Sequence, residues 1–186
     1  MAVQLYWIEN KNIKMNEIFF AGGCLWGVQE FFRYVPGVVE TKAGRANGKS
    51  HSTSAPYDGY AECVRLKYDP NKQSIPGLMH EFFKIIDPYS VNQQGRDIGL
   101  KYRTGVYSRF PEHLTQVRYF INSRNDSPRI AVEVLPLSNF VASDPEHQDR
   151  LFRCPDDYCH ISADILYTHR NSTDKNSTDK NRQGQY

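Results

Sequence analysis

The stretch that most restricts what this chain can fold into lies at residues 18–35. Ile18, Phe19, Phe20 and Ala21 form an apolar run that two glycines, Gly22 and Gly23, cut short. After Cys24 the periodicity changes: Leu25, Val28, Phe31, Phe32 and Val35 recur at helical spacing until Pro36-Gly37 stops them. A short apolar run bounded by glycines reads as a buried strand, and the second spacing as one face of a helix. The chain is therefore expected to pass from strand to tight turn to helix, with Cys24 at the junction. The free N–H groups and positive dipole end of a helix start favour a thiolate. The glycines let backbone pack behind the sulfur, and Trp26 supplies a flat apolar wall. A small buried cysteine packing at a helix start is equally open on these grounds alone.

Downstream, Val38–Lys42 reads as a short strand and Gly44–Gly59, rich in Gly, Ser, Asn and Pro, as a loop. Residues 60–68 alternate, with Glu62, Val64 and Leu66 on one face and Cys63, Arg65 and Lys67 on the other, as in a half-buried strand. Ser74 is placed to cap a helix opening at Ile75-Pro76 and running to Ile86. Residues 87–101 read as a polar loop, Tyr102–Tyr107 and Ile130–Leu137 as strands, Pro111–Ser123 as a helix, and Asp144–Phe152 as a short helix opened by Asp-Pro. Mixed strands and helices predict an α+β fold, a two-layer αβ sandwich around a mixed β-sheet.

With 186 residues, one domain with a sizeable core is expected. Residues 1–14 read as an N-terminal extension, with Met15 an alternative start, residues 15–168 as the catalytic domain, and residues 169–186 as a disordered tail. The tail repeats Asn-Ser-Thr-Asp-Lys at 171–175 and 176–180 and has little apolar surface to bury. A net charge of +2 gives no sign of a nucleic-acid surface. No apolar run has transmembrane length and no signal peptide is read. Four cysteines are too few for a disulfide scaffold in a chain of this length, so a cytoplasmic protein with reduced thiols, monomeric and off the membrane, is expected.

Gly23-Cys24-Leu25-Trp26-Gly27 resembles the Gly-Cys-Phe-Trp-Gly signature of the A-type peptide methionine sulfoxide reductases. The likeness continues in family order through Pro36-Gly37-Val38-Val39, Gly59-Tyr60-Ala61-Glu62, Tyr68-Asp69-Pro70, Ile86-Asp87-Pro88, Gln94-Gly95-Arg96-Asp97-Ile98-Gly99, Lys101-Tyr102-Arg103-Thr104-Gly105, Glu146-His147-Gln148-Asp149 and Tyr158-Cys159-His160. It covers roughly residues 17–162 and implies a ferredoxin-like core. This sequence departs from the family in having Leu25 for Phe, Arg45 for Tyr after Gly44, and Tyr60 for His before Ala-Glu. The loop from Gly48 to Glu62 is also shorter, so that Tyr57 of Ala55-Pro56-Tyr57 is the nearest match to a site tyrosine.

The resemblance implies thiol-dependent reduction of methionine-S-sulfoxide, free or in proteins. Cys24 attacks the sulfoxide sulfur and becomes a sulfenic acid, while an acid protonates the oxygen. Glu62 matches that acid, and burial on the face of Val64 and Leu66 would keep it neutral. Asp97 and Tyr102 match groups closing the site, Tyr102 as a donor to the oxygen. Leu25, Trp26 and Tyr57 are assigned to substrate binding. Cys159 matches a resolving thiol; Cys154 beside it, or no internal cysteine, are the alternatives. Cys63, facing away from Glu62, is assigned to packing, and His147 and His160 to structural roles. No bound cofactor or metal is expected, only an external reductant, thioredoxin or else glutaredoxin or glutathione. Two rivals remain: a cysteine hydrolase using Cys24 with His147 as base, and a metal-binding module built on Cys154, Cys159 and His160.

Overall fold

The computed structural model describes residues 15–170. Strand β1 (Asn16–Gly22) turns through Gly22-Gly23-Cys24 into helix α1 (Leu25–Arg33), as the change of periodicity predicts. Then follow β2 (Val38–Ala46), β3 (Ala61–Tyr68), α2 (Ile75–Ile85), a two-rung hairpin of β4 (Gln93–Gln94) and β5 (Asp97–Ile98), a 3-10 turn at Leu100–Tyr102, and β6 (Thr104–Ser108). Helix α3 (Pro111–Asn122), β7 (Glu133–Pro136), β8 (Phe140–Ala142), a 3-10 turn at Pro145–His147, α4 (Arg150–Arg153) and α5 (Ala163–Leu166) complete the chain. Ser74 does cap α2, its side chain accepting from the Gly77 N–H at 3.1 Å.

Six strands form one sheet in the order β7-β6-β1-β3-β2-β8, with β6 and β7 parallel and the other pairs antiparallel. The sheet is mixed, as expected. Its inner order β6-β1-β3-β2, reached through β1-α1-β2-β3-α2-β6, is the split βαβ arrangement of ferredoxin-like folds. Strand alternation divides the apolar residues between two faces. Ile18 and Phe20 of β1 and Val64 and Leu66 of β3 meet Phe31, Phe32, Leu78 and Phe82 of the helices in the main core. Phe19, Ala21, Cys63 and Tyr107 point the other way, into a smaller cluster with Leu137 and Phe140.

Several boundaries differ from the sequence reading. Strand β2 runs on to Ala46, past Gly44: Gly44, Arg45 and Ala46 pair with Cys63, Glu62 and Ala61 on one side and with β8 on the other. Gly44 is small because a Cβ there would come within 2.5 Å of the Phe140 ring, so a glycine read as a loop signal marks a close packing contact. Tyr102 ends the 3-10 turn and does not begin a strand. Strand β7 spans only Glu133–Pro136, matched to the length of β6. The helix expected over 144–152 is broken at Asp149, whose φ of 53° is left-handed. Tertiary bonds hold that break: the Asp149 N–H donates to Gln29 Oε1 at 2.8 Å, and its carboxylate pairs with Arg33. The tail does not begin at residue 169, because His169 Nε2 lies 2.8 Å from Glu81 Oε2 and its ring meets Phe31 edge-on. The rest of the expected tail and the extension at 1–14 lie outside the described residues.

Candidate active site

Cys24 stands in extended conformation (φ −62°, ψ 127°) at the cap position of α1. The turn behind it demands glycine. Gly23 has φ +82°, and a Cβ there would approach Gln94 to 2.6 Å. Gln94 is buried and holds the β4 loop beneath the turn, accepting from the Asp87 N–H at 2.7 Å and donating to the Asp87 carbonyl at 2.8 Å.

The cysteine opens into a cavity of about 270 Å³. Of the residues singled out by sequence, Leu25, Trp26, Glu62, Asp97, Tyr102 and His147 line it with Cys24. Segments far apart in the chain therefore meet at the cavity, among them the start of α1, the start of β3, residues 97–102, and the 143–147 turn. Arg103 fastens two of them, donating to the carbonyls of Gly59 and Tyr60 before β3 and of Leu100 in the 3-10 turn, each at 2.9 Å. Gln148 fastens another, bonding both the N–H and the carbonyl of Ala43 on β2 at 3.0 and 2.9 Å. Trp26 is oriented by donating its indole N–H to His147 Nδ1 at 3.3 Å, with the two rings stacked.

The electrostatics correct one expectation. Burial, reinforced by the charges of Glu62 and Asp97, pushes the Cys24 thiol up to about 12. The Trp26 backbone N–H at the helix start pulls the other way and does not offset the burial and the nearby negative charges. The resting sulfur is therefore a thiol and not the thiolate expected from the helix dipole. Glu62, whose side chain keeps 13% of its exposure, is not an isolated buried acid. Its Oε1 lies 3.0 Å from the Lys101 ammonium, and its Oε2 accepts the Leu25 N–H at 3.3 Å. Both contacts suit a carboxylate. Burial raises Asp97, with His160 Nδ1 3.5 Å from its Oδ2, and burial also raises Tyr102, which stays a hydroxyl donor.

Tyr57 does not reach the cavity. It is 45% exposed and rests against the ring of Tyr60, and Tyr60 is the residue that lines the wall. Arg45, Lys101, Ser143 and Tyr158 also line the cavity. Sequence periodicity carries no signal for them, although Lys101 lies inside a stretch that resembles the family and Arg45 is one of the departures from it. Cys159 sits in an irregular segment against α1. A Cβ on Gly27 would come within 2.7 Å of its sulfur, which accepts the Ile161 N–H at 3.4 Å. Burial pushes the Cys159 thiol up as well. Cys63 is fully buried and packs in the smaller cluster, as expected. Among the described residues no group of three or more His, Cys, Asp or Glu is arranged to hold a metal ion, and Cys154, Cys159 and His160 form no such group.

A half-buried cysteine at a helix start, sharing a small cavity with an ion-paired carboxylate and a phenol, defines a site for thiol chemistry with coupled proton transfer. Residues 16–182 match the model of the peptide methionine sulfoxide reductase family, and the chain belongs to that family. It is similar to the peptide methionine sulfoxide reductases MsrA of two Clostridium perfringens strains, each 40% identical over 162 residues that cover 81% of this chain and all of the relative. Among solved structures, Mxr1 of Saccharomyces cerevisiae in reduced form superposes with a TM-score of 0.73 at 26% identity, over 80% of this chain and 91% of Mxr1. Methionine sulfoxide reductase A of Corynebacterium diphtheriae gives 0.71 at 28% identity, over 78% and 77%. Mxr1 has also been solved in complex with Trx2. The activity is thus thiol-dependent reduction of methionine sulfoxide, an oxidoreductase reaction, and the hydrolase reading has no support.

Proposed function

We propose that Cys24 is the nucleophile, Glu62 the carrier of its proton, and Tyr102 a donor to the sulfoxide oxygen, with the S configuration at sulfur preferred. The observation that carries this reading is the cavity shared by the Cys24 thiol and the Glu62 carboxyl group, which Lys101 and the Leu25 N–H hold in place. The reaction supplies its own proton. A sulfoxide and a thiol become a thioether and a sulfenic acid: the oxygen passes from the methionine sulfur to Cys24, and the thiol hydrogen ends on that oxygen. Cys24 sulfur loses two electrons and the methionine sulfur gains two. A resting Glu62 that already held a proton would have to lose it before it could take the one from Cys24. An ionised Glu62 takes the proton as Cys24 attacks and delivers it to the departing oxygen, serving first as base and then as acid. Leu25 and Trp26 provide apolar wall for the methyl and methylene groups.

The sulfenic acid on Cys24 is then attacked by Cys159, releasing water and forming a disulfide. The placement of Cys159 on Gly27, in a segment free of regular structure, supports this role. Thioredoxin reduces that disulfide, a reading suggested by the Mxr1 complex. Both free and protein-bound methionine sulfoxide are substrates.

Single-turnover kinetics with Glu62→Gln test the proton route. The rate of methionine formation is expected to fall by about a hundredfold or more, with substrate affinity changing less, because the amide still hydrogen-bonds the oxygen. A variant as fast as wild type removes Glu62 from the mechanism.

A further inference from the structure

The route above gives Lys101, a charge in the cavity, no task. Lys101, on the 3-10 turn, places its ammonium 3.0 Å from Glu62 Oε1 and 4.6 Å from the centre of the Tyr102 ring. An exposed ion pair commonly contributes little, and the plain reading is a solvated pair at the rim. The surroundings argue otherwise. Glu62 is largely buried, both its oxygens are engaged, and Asp97, a second carboxylate, lines the same cavity. A thiolate forming at Cys24 would be a third negative charge there, and like charges in a confined site oppose one another's ionisation. Arg45 stands opposite Glu62 in the β2–β3 register, but it donates to the Thr53 carbonyl at 2.7 Å and lies over the Tyr60 ring. His147 is engaged with Trp26. Among the described residues, the ion pair that Glu62 makes is the one with Lys101.

We propose that Lys101 sets the proton affinity of Glu62, keeping it ionised in the free enzyme so that it can take the Cys24 proton, and making the protonated form acidic enough to pass that proton to the sulfoxide oxygen. The inference rests on the role given to Glu62 above. Lys101 itself keeps its proton throughout. The S–H bond of Cys24 breaks as an O–H bond forms on Glu62, and that bond breaks as the oxygen leaving the methionine sulfur gains its hydrogen. Lys101 acts through Glu62 and is a positioning residue.

The test measures the rate of Cys24 alkylation by iodoacetamide against pH, read by mass spectrometry of the Cys24 peptide. It adds the pH profile of single-turnover reduction, and uses wild type, Glu62→Gln, Lys101→Met, Lys101→Gln and Lys101→Arg. Removing the carboxylate in Glu62→Gln is expected to speed alkylation at pH 8. Removing its counter-charge in Lys101→Met is expected to slow alkylation, by about fivefold or more, because an unscreened carboxylate opposes the thiolate. The acid limb of single turnover should move up by about one pH unit in Lys101→Met and Lys101→Gln, and Lys101→Arg should return both readouts to near wild type. The proposal is overturned if Glu62→Gln speeds alkylation while Lys101→Met superposes on wild type in both readouts. It is also overturned if the uncharged Lys101→Gln restores both, since a hydrogen bond and not a charge would then suffice. If Glu62→Gln changes neither readout, the role of Glu62 fails and takes the proposal with it.

Discussion

Cys24 and Cys63 sit on neighbouring strands of one sheet or at their ends, and burial pushes both thiols upward, yet their surroundings have nothing else in common. Cys63 is sealed among Phe19, Ala21, Ala46, Ala61 and Tyr107 and meets no solvent. Cys24 ends its strand at a turn, opens into a cavity, and has Glu62 beside it. Loss of water around a sulfur therefore does not separate a reactive cysteine from a packing one. Access and a nearby proton acceptor do. Strand β3 shows the same division in two consecutive residues. Glu62 faces the helical layer and the site, and Cys63 faces the smaller cluster, because side chains alternate across a strand.

Swapping sulfur for oxygen at each position gives the widest contrast. Cys24→Ser is expected to lose essentially all sulfoxide reduction, a drop of about three orders of magnitude or more, since a neutral hydroxyl is a poor nucleophile. Its thermal unfolding should stay close to wild type, because the site is partly open. Cys63→Ser should do the reverse. Single-turnover activity persists, and stability falls by about 1–3 kcal/mol because the hydroxyl is buried without a good partner. A Cys63→Ser protein that is as stable as wild type but catalytically slow would break the comparison.

The local part of this arrangement is readable in sequence, and the assembled part is not. A run of apolar residues, two glycines and a helical spacing are enough to place Cys24 at a strand-to-helix turn, and alternation alone puts Glu62 and Cys63 on opposite faces. Motif likeness assigns Tyr57 to the site, whereas the fold puts Tyr60 at the wall and leaves Tyr57 exposed. Lys101 was invisible because its function depends on meeting Glu62 across 39 residues of chain, a contact created by Arg103 and the 3-10 turn. The same holds for the break at Asp149, where Gln29 reaches across 120 residues to end a helix that local propensity favours. The protonation states follow from these meetings. A helix start promised a thiolate and a buried strand face promised a neutral acid. Burial and two carboxylates near the sulfur reversed the first, and Glu62 meets Lys101, a contact that strand alternation does not reveal.

A third cysteine sharpens the contrast with a smaller effect. Cys159→Ser should keep the first turnover and lose most, roughly tenfold, of its multiple-turnover rate with thioredoxin, which needs a disulfide to reduce. With a small dithiol able to reach the sulfenic acid directly, the loss should be less. Equal steady-state rates for this variant and wild type with thioredoxin would transfer the resolving role to Cys154 or to an external thiol.

The central claim is that the oxygen of methionine sulfoxide passes to Cys24, and it is tested most directly by mapping the modified sulfur after one turnover. Reduced Cys159→Ser protein is mixed with one equivalent of substrate and dimedone in the absence of reductant, then digested and analysed by mass spectrometry. The account predicts one methionine formed per chain and the dimedone adduct on Cys24, with Cys63 unmodified; the same digest of wild type, without dimedone, should yield a Cys24–Cys159 disulfide. Methionine released with Cys24 still a free thiol, or an adduct on Cys63 or Cys154 instead, would contradict it.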